Sequence, residues 1–220
     1  MPSYTYRTAE KQDKEKIVKF LLNHFIYEEP CIRAMNSNAT EWEPILREMT
    51  ENSLETPFST IVTSDSGEVA AVLLNSIWRR DDSHEEDHDT EQFSEKVQKF
   101  IKVLQKCHED FWSLAPEDVN VVIYREISSV GKQWQRQGIA TKMVNAGLSK
   151  AREFGVGGVV SATSSFANQM LLAKRGFTCL REYPYSGIVN EKGAKLLETD
   201  DGSKGMRMNF KRIEDFDIRQ

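Results

Sequence analysis

The stretch ISSVGKQWQRQGIATKMV, residues 127–144, decides the fold. An apolar segment, Val119–Val130, leads into it and reads as a buried strand. The segment Gly138–Phe154 leads out of it and reads as a helix, with Ala140, Val144, Leu148 and Ala151 on its inner face. Between them stands Gln135-Arg136-Gln137-Gly138-Ile139-Ala140-Thr141. The first turn of a helix carries N–H groups with no partner inside the helix. The helix dipole makes that end positive, so a phosphate placed there accepts several hydrogen bonds together. Gly138 lets the backbone approach closely, Ala140 keeps the space small, and Arg136 and Lys142 add positive charge. The stretch therefore reads as a pyrophosphate cradle. It is not a nucleotide P-loop, which needs Gly-Lys-Ser/Thr, and it is not Gly-x-Gly-x-x-Gly.

Working outward, Val156–Ala162 is a second buried strand. Strand, helix and strand in this order imply two parallel neighbours with a right-handed crossover. Upstream, Phe58–Ser64 and Glu68–Arg79 form a hairpin around Asp65-Ser66-Gly67. Residues 3–7 read as a short strand, and a helix capped by Thr8 runs to about Tyr27, ended by Glu29 and Pro30. Further helices are expected over Thr40–Leu54, Phe93–Trp112 and Phe166–Arg175. Strands near Thr178–Tyr183 and Gly205–Arg212 follow. The pattern predicts an α/β fold with a mixed, mainly antiparallel sheet flanked by helices, in one domain over residues 1–220.

Composition narrows the function. Of 220 residues, 39% are hydrophobic and 29% charged, which suits a soluble globular chain. A net charge of −5 disfavours nucleic acid as a partner and suits a cationic substrate such as an amine. No apolar run reaches membrane-spanning length, and the N-terminus has no signal-peptide pattern. The odd, widely spaced Cys31, Cys107 and Cys179 read as free thiols in a reducing cytosol, and no cysteine pair has zinc-site spacing. His84 and His88 sit four apart in the acidic run 81–91; a metal site is one reading and a solvated loop the favoured one. Trp78, Tyr183 and Tyr185 read as the wall of an aromatic amine pocket or as sheet packing, the latter preferred for Trp78.

The sequence resembles the GCN5-related N-acetyltransferase (GNAT) superfamily, whose hallmark Gln/Arg-x-x-Gly-x-Gly/Ala is matched by Gln135 to Ala140. More narrowly it resembles the insect and nematode arylalkylamine (dopamine-type) N-acetyltransferases. That likeness is carried by Glu28-Glu29-Pro30, by Leu74-Asn75-Ser76-Ile77-Trp78-Arg79-Arg80, and by Ala162-Thr163-Ser164-Ser165 leading to Lys174-Arg175-Gly176-Phe177. The resemblance implies acetyl transfer from acetyl-CoA, as cosubstrate and without a metal, to a small amine in a ternary complex. Acceptors among protein amines or polyamines, or a non-catalytic acyl-CoA-binding module, are the alternatives.

The same resemblance assigns site residues. Glu29 matches the family's base, with Phe25, Tyr27 and Pro30 as its apolar wall; a carboxylate facing solvent at a helix end is the plain alternative. Ser128, Ser129 and Val130 fall on the strand that splays from its parallel neighbour and offers amides to pantetheine and the acetyl carbonyl. Gln135, Arg136, Gln137, Gly138, Ile139, Ala140 and Thr141 make the pyrophosphate loop, with Ser165 and Asn168 also toward the cofactor. Ser164 matches a proton-relay serine, or else caps a helix. The second serine of that pattern is Asn168 here, and the tyrosine acid of many members falls at Leu172. Gly131 stands where the insect pattern has an acid or histidine.

Overall fold

The computed structural model describes residues 2–82, 90–188 and 197–217. Seven strands form one sheet in the order β1-β2-β3-β4-β5-β7-β6. They are β1 Tyr4–Thr8, β2 Thr60–Ser64, β3 Val69–Arg79, β4 Val121–Val130, β5 Gly158–Thr163, β6 Thr178–Pro184 and β7 Gly205–Arg212. Every pairing is antiparallel except β4 with β5. The mixed, mainly antiparallel sheet expected from the sequence is present.

Alternation along the strands divides the core between two faces. On one face Ile61, Val72, Leu74 and Ile127 pack with residues of α1 (Lys14–Phe20), α4 (Ala39–Ser53) and α5 (Glu95–His108). On the other, Val62, Ala71 and Leu73 meet Ile139 and Met143 of α7 (Ile139–Met143), while Ile123 and Val159 meet Leu172 of α8 (Phe166–Lys174). Among the described residues no helix is long and apolar enough to cross a membrane, and all three cysteines are free thiols. His84 and His88 lie outside the described residues.

Several elements differ from the sequence expectation, each for a local reason. Thr8 does not cap a helix: it ends β1, paired with Thr60, and the Asp13 carboxylate takes the Glu10 N–H at 2.9 Å instead. The first helix is α1, a π-helical segment Leu21–Phe25, and α2 (Ile26–Glu28). Glu29 is then extended (φ −75°, ψ 117°), and Pro30 opens a further short helix, α3 (Pro30–Ala34), as proline does at a first helical position. Asp110, left-handed at φ 58°, separates α5 from α6 (Phe111–Leu114), so the single helix expected over Phe93–Trp112 is two. The helix expected over Gly138–Phe154 is α-helical only as α7, and residues 144–154 form successive turns. Gly147 adopts φ +72° there, and the Phe58 carbonyl oxygen lies well inside contact distance of where a Cβ would stand. The close approach is open only to glycine.

Candidate active site

The β4–β5 ladder is short. It pairs Val122 with Gly158, Ile123 with Val159 and Tyr124 with Val160, and then stops. Beyond Tyr124, β4 continues to Val130 bonded on its other edge to β3, with Glu126 as the extra residue of a bulge opposite Leu74 and Asn75. A bulge bends its strand and re-aims its side chain. The two parallel strands diverge, and the edge of β4 turned toward β5 has no strand partner there. A cleft of about 540 Å³ fills the gap.

Most of the expected residues meet in this cleft. Glu29, Ser128, Ser129, Val130, Gln135, Arg136, Ala140, Ser164, Ser165 and Asn168 all line it. Four do not. Ile139 is buried in the core with Met143, and Gln137 bonds back to Tyr4, whose hydroxyl donates to Oε1 at 2.5 Å. The Gly138 and Thr141 side of the loop likewise lies off the cleft lining. The loop itself is tightly wound: Arg136 (φ 59°) and Gly138 (φ +80°) are both left-handed, and nothing stands within 4 Å of a Cβ added at Gly138. Successive amides in such a winding make an anion-binding concavity. Gln135 bridges the mouth, its amide N–H donating to the Glu28 carboxylate at 3.1 Å and to the Val130 carbonyl at 3.2 Å.

Glu29 is 6% exposed, which removes the reading of a solvent-facing carboxylate. Its Oε2 takes the Ile32 N–H at 2.6 Å and so caps α3. Its Oε1 is buried without a hydrogen-bond partner. Burial pushes the carboxyl up to about 7, opposed by the nearby Ser164 hydroxyl, the Ile32 amide, Arg33 and the Cys31 amide. Ser164 and Glu29 thus share one stretch of the cleft wall. Of the apolar wall, Phe25 and Pro30 line the cleft, whereas Tyr27 is 62% exposed and turned away.

Ser164 is not the helix cap. Ser165 caps α8, its hydroxyl taking the Asn168 N–H at 3.5 Å, and Asp201 takes the Phe166 N–H at 2.8 Å. Leu172 is buried in the core and points no group at the cleft. A Cβ at Gly131 would meet the Trp134 ring at 2.7 Å, so the packing of Trp134 explains glycine there. Trp78 is sheet packing: it stacks on Tyr124 at 4.1 Å and 9°. Tyr183 lines a smaller, separate cavity.

Sequence reasoning missed Glu126, Asp201, Arg33 and the aromatic floor of Trp42, Phe100 and Tyr124, all of which line the cleft. Glu126 had a readable signal, a carboxylate inside a buried strand. Asp201 had none, because a loop contact forms only in the fold.

This fold has counterparts among solved structures. Aedes aegypti arylalkylamine N-acetyltransferase 2 matches over 96% of this chain and 99% of its own, at 20% identity and a TM-score of 0.85. The chain has the GNAT fold. Drosophila melanogaster polyamine N-acetyltransferase, which forms N-acetylagmatine, shares that fold at 14% identity, over 96% and 100% of the two chains, with a TM-score of 0.77. Mosquito arylalkylamine N-acetyltransferase-like 5b does so at 15% identity, over 96% and 100%, with a TM-score of 0.78. Neither a family model nor a curated protein matches the chain by sequence.

Proposed function

We propose that this chain is an acetyl-CoA-dependent N-acetyltransferase that acts on a small arylalkyl amine in a ternary complex. The observation that carries the reading is Glu29, a buried carboxyl with a partnerless oxygen, in a cleft whose other wall is the unpaired edge of β4. The residues fit the cosubstrate. Ser128, Ser129 and Val130 lie on the open edge for pantetheine, and Gln135 to Thr141 wind the loop for the pyrophosphate. Ser165 and Asn168 face it from the start of α8. Bound there, acetyl-CoA supplies a thioester carbonyl as electrophile and a thiolate as leaving group.

An alkylamine ionises near ~10, so it reaches the cleft as an ammonium. Glu29, with its carboxyl raised to about 7, is matched to hold that cation and take its proton near neutral pH. In this reading the Ser164 hydroxyl relays a proton, passing its own to the departing sulfur as it takes back the one Glu29 removed from the amine. An acyl-cysteine route is disfavoured because burial holds the thiols protonated: Cys107 is pushed up to about 12, and Cys31 further in the same direction. The free cysteines suit a reducing, cytosolic setting.

Phe25, Trp42, Phe100 and Tyr124 favour an aromatic acceptor, and the structural neighbours include arylalkylamine enzymes. Glu28, Glu126 and Asp201 on the same cleft favour a second reading, a polyamine. Thermal shift with acetyl-CoA, followed by CoA release with phenylethylamine, putrescine and a peptide amine, tests both. A rise in Tm and fastest release with phenylethylamine support the proposal. No thermal shift overturns it, and a shift without release from any amine leaves an acyl-CoA-binding module.

A further inference from the structure

We propose that Tyr185 is a positioning residue for this transfer, its hydroxyl tying the turn that bears Glu29 to the turn that bears Ser164. The inference rests on the acetyltransferase reading. Tyr185 follows β6 and is 4% exposed, its ring in the core cluster with Val160, Met206 and Leu197. The Cys31 thiol donates to its oxygen at 3.3 Å, and its own O–H donates to the Ser164 carbonyl at 3.4 Å. Cys31 stands two residues after Glu29, at the start of α3. The Ser164 carbonyl belongs to the peptide that enters α8.

The carbonyl at one end gives this chain its direction. Burial raises both the thiol and the phenol, so both remain protonated donors. The Ser164 carbonyl only accepts and is the stronger acceptor, so the Tyr185 O–H goes to it and the Cys31 S–H goes to the phenol oxygen. Turning the Ser164 carbonyl toward Tyr185 sets its peptide plane and leaves the Ser164 hydroxyl beside Glu29. Two long bonds contribute little to folding, and a phenylalanine ring would fill the same core space. They do fix the relative placement of the two reacting side chains, where small displacements cost rate.

Charged and titratable groups that act on Glu29 are Arg33 on its own segment, Cys31 on α3 and Tyr185; Glu28 and Asp201 line the same cleft. Glu126 and Arg136 lie on the same cleft. The Ser164 hydroxyl lowers the Glu29 carboxyl. Loosening Ser164 therefore raises it, and the acidic limb of the kcat/KM profile moves to higher pH.

The experiment compares wild type with Tyr185→Phe by CoA release across about pH 5.5 to 9, with acetyl-CoA calorimetry and Tm alongside. For Tyr185→Phe we expect kcat to fall ~10-fold, with KM for acetyl-CoA changed by less than about twofold. The acidic limb should shift upward, with Tm and acetyl-CoA affinity kept. Cys31→Ala cuts the end of the tie at the Glu29 turn and should lower kcat in the same sense, while the bond from Tyr185 to Ser164, and with it the acidic limb, is kept. Wild-type kcat with an unshifted limb in Tyr185→Phe overturns the proposal. So does a joint fall of kcat, Tm and acetyl-CoA affinity, which marks a merely structural role. A wild-type protein that binds acetyl-CoA yet acetylates no amine overturns the acetyltransferase reading itself.

Discussion

Glu29→Gln separates catalysis from folding at one position. The Glu29 carboxyl is raised from its ordinary 4.5 to about 7. That difference is worth about 3 kcal/mol of stability, using 1.36 kcal/mol for each pH unit. The folded-state value is the higher one, so the contribution is fully present below 4.5 and is lost as pH rises toward 7. Above 7 the folded protein carries the whole cost of a buried carboxylate. A glutamine amide in that place has no charge to bury, and its side-chain carbonyl can still take the Ile32 N–H. Urea unfolding should therefore show Glu29→Gln gaining up to about 3 kcal/mol over wild type at pH 8, and almost nothing at pH 4.5. Turnover should move the other way. In wild type roughly a tenth of Glu29 is ionised at pH 6 and nine tenths at pH 8, so kcat/KM climbs across that interval. In Glu29→Gln the rate should drop by ~100-fold or more and this limb should flatten. A variant with wild-type turnover at every pH, or with a stability difference that does not change with pH, refutes the reasoning.

Ser164→Ala should lower kcat by ~10-fold or more with acetyl-CoA affinity intact, and steady-state kinetics should show the Glu29 limb moved upward. Gly147→Ala combines a left-handed φ with a methyl group driven into the Phe58 carbonyl oxygen, and should cost about 2–4 kcal/mol in urea unfolding. His108 is held neutral by burial, its ring lowered to about 3, while Nε2 meets the Tyr124 hydroxyl at 2.8 Å. Its folded value lies below the unfolded one, so stability is full above about 6.5 and falls toward pH 3; in His108→Phe that fall should flatten in acid titrations followed by fluorescence.

The elements legible in the sequence are those whose cause is local. Alternating and periodic apolar residues placed all seven strands within two or three positions, and Gly138 marked the loop at the gap. Glu29 and Ser164 came from resemblance, because nothing in Glu-Glu-Pro or Ser-Ser distinguishes a buried base from a helix end. The errors share one origin in tertiary contact. Gly147 reads as an ordinary helix glycine until the Phe58 carbonyl is seen against it. Ser164 reads as relay or cap alike until Ser165 and Asp201 are seen to take the capping. Tyr185 reads as pocket or packing, and only the approach of Cys31 and Ser164, 154 and 21 residues away in the chain, gives its hydroxyl a task.

The brevity of the β4–β5 ladder has a mechanical side. Strands β1 to β4 form one half-sheet and β5, β7 and β6 the other, and three paired positions join them. The sheet has a seam, and its last rung, Tyr124 with Val160, borders the cleft. Amides at Tyr124 and Val160 should then exchange with deuterium sooner than those of the long β3–β4 ladder. An occupant that hydrogen-bonds across the seam does the work of missing rungs, so binding and sheet completion become one event. Affinity for that occupant would be readable as mechanical stiffness, in how firmly the two half-sheets resist being drawn apart.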